Sequence, residues 1–287
     1  MSDVIFDDHG PRYAEADRCL RGAAVAIYGV CYDGTTSFRP GARFGPDAIR
    51  SASLGLETYS PEQQADTSRD IDLVDIGNLE LPSTAPGPVV DTVTWATRTL
   101  MAANAKPLLL GGEHSVSIGA IHGLAEYYAD LVLLQIDAHA DLRSDYGGEP
   151  YNHACVMRRA LDILPTERVL QVGIRSGTGE EFDELHQSGR LVDPSPTSLK
   201  QRLQATEGPI YLTLDLDVFD PAYMPGTGTP EPGGIDWQTF AQLLSVIPSR
   251  RLVAADVVEL APALDSTGCS AVLAAKAVRE IALKLGS

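Results

Sequence analysis

Basic residues and cysteines are scarce in this chain of 287 residues. Lysine and arginine number 22 against 39 aspartates and glutamates, giving a formal charge of −17 at neutral pH. A surface that acidic repels phosphate, which argues against nucleic acid and anionic membranes as partners. The four cysteines, Cys19, Cys31, Cys155 and Cys269, form no Cys-x-x-Cys pair. A chain this long and rich in apolar residues has no need of a disulfide framework. The longest apolar stretches, such as Ala23–Tyr32, fall well short of the roughly 18 residues that span a bilayer. Met1–Gly10 carries three aspartates and no basic n-region, so it does not read as a secretory signal. Internal repeats, low-complexity tracts and long linkers are missing too. The expectation is a reduced, soluble, cytoplasmic protein folded as one domain over residues 1–287.

What is present is an ordinary globular balance, 44% apolar and 21% charged, with length enough for a large core. Short runs rich in Val, Ile and Leu read as buried strands: Ala23–Val30, Ile71–Ile76, Pro107–Leu110, Leu131–Asp137, Arg168–Ile174, Ile210–Asp217 and Arg251–Glu259. Helical patterns lie between them, one opening at Gly45-Pro46-Asp47, others over Val89–Ala105, Ser115–Tyr128 and Ser270–Leu285. The alternation predicts an α/β fold with a mostly parallel sheet. Periodicity alone does not separate an open sheet from a TIM barrel.

Three segments concentrate metal-type ligands, each after an apolar strand: Gly111-Gly112-Glu113-His114-Ser115, Asp137-Ala138-His139-Ala140-Asp141 and Asp215-Leu216-Asp217. The C-terminal edge of an open α/β sheet is where ligands bind. In an extended chain alternate residues share a side, so Asp215 and Asp217 would face one way, as would Asp137, His139 and Asp141. Carboxylates so placed repel one another unless a cation lies between them. A donor set of aspartate and imidazole without thiolate favours a harder divalent ion such as Mn²⁺ over structural zinc. Six ligands exceed the needs of one catalytic ion, and bridging aspartates would hold two about 3.5–4 Å apart.

These segments resemble the signature motifs of the ureohydrolase family, which comprises arginases, agmatinases and their relatives. Ser37–Pro46 resembles the family's N-terminal motif, and Gly226-Thr227-Gly228-Thr229-Pro230-Glu231 its loop after the Asp-x-Asp strand. The resemblance implies a three-layer α/β/α sandwich with an eight-stranded, mostly parallel sheet. It implies one Mn²⁺ on His114, Asp137, Asp141 and Asp215 and a second on Asp137, His139, Asp215 and Asp217, with Ni²⁺ or Co²⁺ as substitutes. It further implies Glu259 as the guanidinium-binding carboxylate and His153 as the proton-transfer imidazole, these two and Asp141 being the expected catalytic residues. A homo-oligomer, trimer or hexamer, is implied as well. His9, His122 and His186 match nothing in the family pattern.

Arginase-like members carry Asn two positions after the second aspartate of Asp-x-His-x-Asp, where it helps grip the substrate carboxylate. Arg143 stands there in this chain. Tyr151–Arg159 and Asp256–Asp265 resemble bacterial agmatinases instead. The expected reaction is therefore hydrolysis of agmatine to putrescine and urea, with guanidinobutyrate, guanidinopropionate, arginine and free guanidine as alternatives. Asp145, Glu149 and Glu231 are the acids offered to a cationic substrate tail. Arg143, Arg43 and Arg175 would suit an acidic one. A binuclear phosphoesterase would usually add Gly-Asn-His-type segments, which this sequence lacks. A catalytically silent guanidine-binding protein of the same fold would not need the full ligand set.

Overall fold

Residues of the apolar runs point alternately to two buried faces, and this makes them strands covered on both sides. In the computed structural model, which describes residues 6–7, 10–16 and 19–287, eleven strands form. They are β1 (Phe6–Asp7), β2 (Val25–Val30), β3 (Tyr59–Ser60), β4 (Ala65–Asp66), β5 (Leu73–Leu79), β6 (Lys106–Gly111), β7 (Val132–Ile136), β8 (Val169–Val172), β9 (Leu191–Val192), β10 (Ile210–Asp215) and β11 (Leu252–Val258). The helices are α1 (Gly45–Ser53), α2 (Pro86–Ala102), α3 (Ser117–Tyr127), α4 (Val156–Leu161), α5 (Gly179–Ser188), α6 (Pro196–Ala205), α7 (Trp237–Val246) and α8 (Cys269–Gly286). His9 and most of Met1–Gly10 lie outside the described residues.

Nine strands make one sheet in the order β1-β5-β2-β6-β11-β10-β7-β8-β9. All pairings are parallel except that of β1 with β5. The sheet has two distinct edges, so it is open and not a barrel. It has one strand more than expected; β1 and β9, two residues each, are its edges. β3 and β4 form a separate short antiparallel pair.

Two cores sit on the two faces. Val25, Ile27, Leu108, Leu110, Leu212 and Leu214 pack with α1, α6, α7 and α8. Ala26, Tyr28, Leu109 and Leu133 pack against α2, α3, α4 and α5. The result is the three-layer α/β/α sandwich expected from the sequence. Among the described residues no helix is long and apolar enough to cross a membrane.

Candidate metal centre

Four neighbouring strands at the middle of the sheet, β6, β11, β10 and β7, end on one edge and deliver the chemistry. His114 follows β6, Glu259 follows β11, Asp215 closes β10 and Asp137 follows β7. The turn after β6 needs glycine at 112. A Cβ there would lie 1.8 Å from the Tyr32 carbonyl oxygen. That close approach lets Glu113 N–H donate to Tyr32 O at 2.8 Å and Glu259 N–H to Gly112 O at 2.8 Å.

The expected ligands converge. His114 Nδ1 lies 3.1 Å from Asp137 Oδ2, 3.0 Å from Asp141 Oδ2 and 3.3 Å from Asp215 Oδ2. His139 Nδ1 lies 2.8 Å from Asp217 Oδ2 and 3.8 Å from Asp137 Oδ1. Two ligand-capable groups result, His114–Asp137–Asp141 and Asp137–His139–Asp217, with Asp137 common to both.

Strand alternation does not produce this convergence, and that expectation is corrected. β7 stops at Ile136, and Asp141 reaches the others through a backbone φ of +53°. β10 stops at Asp215. The chain then enters a 3₁₀ turn over Leu216–Val218, where Asp217 N–H donates to Asp215 Oδ1 at 2.9 Å.

His114 is oriented from below. Its Nε2 is 2.9 Å from Thr213 Oγ1, and the Thr213 hydroxyl donates to Asp256 Oδ1 at 2.7 Å. Tyr211 O–H donates to Asp256 Oδ2. The threonine has a single proton, and it goes to the carboxylate, so Thr213 accepts from His114 Nε2–H. The lone pair then sits on Nδ1, which is buried and without a hydrogen-bond partner. Donors this close need positive charge among them, a proton or a metal ion: burial lowers the His114 pKa, but the three carboxylates carry it well above its ordinary value. The oxygen and nitrogen donors present thus fit a divalent ion.

Electrostatics point the same way. Burial, together with the Asp217 and Asp141 carboxylates, pushes Asp137 up to about 7. Burial and the Asp217 and Asp137 carboxylates raise Asp215 well above the carboxylate range. Burial lowers His139, but the adjacent Asp217 carboxylate overrides it and carries the imidazole to about 11. Asp217 has the opposite balance. Burial raises it, yet His139 draws it down to about 2.

A cavity of about 240 Å³ opens over this cluster, lined in part by Ser37, His139, Asp141, Arg143, Tyr146 and His153. His153 Nε2 is 2.9 Å from Ser37 Oγ, and its Nδ1 is 3.7 Å from Glu259 Oε1. Burial lowers the His153 pKa, but Glu259 more than reverses this, and the net shift is upward. Glu259 is buried and is not part of the cavity lining; it lies beside His153, has φ of +68°, and its Oε1 accepts from His114 N–H at 2.7 Å. A glutamate in the left-handed region is held there by its surroundings, and such strain clusters at functional sites.

Ser37 and Asp256 enter the sequence reading only as ends of motifs, without a role, and Thr213 not at all. Two signals existed. Thr213 precedes Asp215 by two on the same strand, and Asp256 is an acid inside the apolar run of β11. Of the acids offered to a substrate tail, Asp145 Oδ1 accepts from Gly148 N–H and Glu149 Oε1 from Tyr151 N–H, and the cavity wall includes neither. Glu231 is absent from the wall as well. Its carbonyl accepts from Arg175, which also donates to the Asp217 carbonyl. Arg43 is engaged by Asp33. Arg143 does line the cavity, its guanidinium 5.3 Å from the Tyr146 ring centroid.

The profile of the arginase family matches residues 23–284. An agmatinase of Bacillus cereus is 40% identical over 97% of this chain and 98% of its own. Among solved structures, the agmatine ureohydrolase of Thermoplasma volcanium aligns with a TM-score of 0.86 at 33% identity, covering 96% of this chain and 94% of that one. Proclavaminate amidinohydrolase of Streptomyces clavuligerus aligns with a TM-score of 0.89 at 31% identity, covering 97% of each chain.

Proposed function

The chain belongs to the arginase family and is a hydrolase of amidino C–N bonds, and on that premise we propose that it cleaves agmatine to putrescine and urea at a binuclear manganese centre. The observation that carries the metal reading is the buried, unpartnered Nδ1 of His114 facing three carboxylates. In this reading His114, Asp137, Asp141 and Asp215 hold one ion, and Asp137, His139, Asp215 and Asp217 the other. Two such ions would supply Lewis acidity and lower the pKa of bound water from 15.7 toward about 7.

The chain's own residues do the rest. Glu259, fixed beside His114, accepts paired N–H bonds from the planar guanidinium and sets its carbon over the centre. His153, raised above its ordinary value by Glu259 against the effect of burial, is placed to give a proton to the departing amine. Asp141 contributes to both the metal set and the cavity wall. The small cavity suits a short linear guanidine.

A second reading, a guanidino acid such as guanidinobutyrate, is favoured by one observation. Of the three arginines suited to an acidic tail, Arg143 alone is at the cavity wall. A urea-release assay on Mn²⁺-loaded protein across agmatine, arginine, guanidinobutyrate, guanidinopropionate and guanidine separates the two. The highest kcat/KM on agmatine, kept in Arg143→Ala, supports the amine. Preference for guanidinobutyrate, abolished by that change, moves the assignment to the acid.

A further inference from the structure

Gln135 and Gln171 are fully buried and directly opposite each other in the β7–β8 pairing. Glutamine amides are directional, with donors at one end and an acceptor at the other, so a chain of them has a polarity. Here the polarity starts at Arg190, a buried guanidinium that can only donate. Arg190 Nε donates to Gln171 Oε1 at 3.2 Å, and Arg190 Nη2 is paired with Glu184 Oε1 at 2.7 Å. With its oxygen committed to the arginine, Gln171 turns its NH₂ the other way. That NH₂ donates to Gln135 Oε1 at 2.7 Å and to Ala140 O at 2.9 Å. Gln135 is aligned in turn. Its NH₂ donates to Asp137 Oδ2 at 2.6 Å and to His139 O at 3.2 Å.

We propose that Arg190, Gln171 and Gln135 form a polarised positioning relay that fixes Asp137 and the ligand segment 137–141 for metal binding. The relay rests on the reading of Asp137 as a metal ligand. Three acceptors define its far end: the Asp137 carboxylate and the carbonyls of His139 and Ala140. Each needs an N–H, and the donor-only cation ensures that each receives one. Reversing Gln135 would set an oxygen against Asp137 Oδ2, and reversing Gln171 would set one against Gln135 Oε1 and Ala140 O. Hydrogen bonds to a ligating carboxylate orient it, and losing one typically weakens metal binding about 10–100-fold.

The polarity gives a test that a packing role would not pass. In Gln171→Glu the new carboxylate still accepts from Arg190 but has no N–H for Gln135 or Ala140. Gln135 then turns its NH₂ toward the glutamate and its carbonyl toward Asp137. Calorimetric titration of chelator-stripped protein with Mn²⁺ alone should show about 10-fold or greater weakening in Gln171→Glu. Arg190→Met, which removes the donor that sets the polarity, should weaken binding in the same direction. Thermal melts should show both variants folded. Wild-type affinity in Gln171→Glu overturns the relay. If Gln171→Glu does not melt cooperatively, Gln135→Met, which removes the N–H without adding charge, is read in the same way. Asp137→Ala separates the two levels. Loss of Mn²⁺ there with no loss in Gln171→Glu defeats the relay alone, whereas a wild type that binds no Mn²⁺ defeats the metal reading and the relay together.

Discussion

Asp137 and His139 both hold protons that a cation must displace. Burial and neighbouring carboxylates keep the Asp137 carboxyl protonated up to about 7, and His139 stays an imidazolium up to about 11 despite its burial, because Asp217 lies against it. Ligation requires both groups deprotonated. The sign follows directly. Mn²⁺ affinity should rise with pH across about pH 6–8 as Asp137 loses its proton, and binding should release protons. Titrations in buffers of different ionisation enthalpy measure that release. An apparent binding enthalpy independent of buffer would contradict it. Stability of the metal-free protein has its own sign. The raised Asp137 contributes stability at acid pH, and this is lost as pH rises from about 4 through about 7.

Which residues meet was legible in the sequence, because Asp-x-His-x-Asp and Asp-x-Asp after apolar runs place charge where burial forbids it unpaired. How they meet was not. The meeting depends on the left-handed turn at Asp141 and the 3₁₀ turn at Asp217, which the alternation rule does not describe. The roles of Thr213 and Asp256 are not legible for a different reason. Their role is to hold His114, and nothing in their own spacing announces a partner on another strand.

At the level of elements, the long helix α2 and the strands with continuous apolar runs follow from pattern. α4, of six residues, and the short edges β1 and β9 do not, since so few residues carry no periodicity. α5 is not among the expected helices because it carries few apolar residues, although its capping box, Thr178 with Glu181, marks its start. α1 follows the segment whose Ser37 meets His153, and it packs on the sheet through Ile49. Its anchor is Arg50, a buried guanidinium on Asp75 at 2.8 and 3.0 Å that also donates to Asn78. Asp75 further accepts from Tyr13 N–H at 2.8 Å. Truncating Arg50 leaves that carboxylate buried without its cation. Arg50→Ala should therefore cost about 3–5 kcal/mol in chemical denaturation. A loss below about 1 kcal/mol, the value of an exposed pair, would contradict it.

For the whole molecule, the excess of acids bears on substrate charge. With −17 over 287 residues, the field draws in a dicationic amine and repels an anion. If agmatine is the substrate, kcat/KM should fall as ionic strength rises from about 0.01 to 0.15 M, over which the screening length shrinks from about 30 to 8 Å. Guanidinobutyrate, a zwitterion, should show little change over the same range. A flat response for agmatine would remove the charge from the explanation. The bond that breaks is tested most directly by agmatine labelled with ¹³C at the guanidino carbon, followed by NMR with the Mn²⁺-loaded protein. The label should pass entirely into urea, with one putrescine formed for each urea. Label retained in a carbamoyl amine with release of ammonia, or no turnover of agmatine, would contradict the assignment.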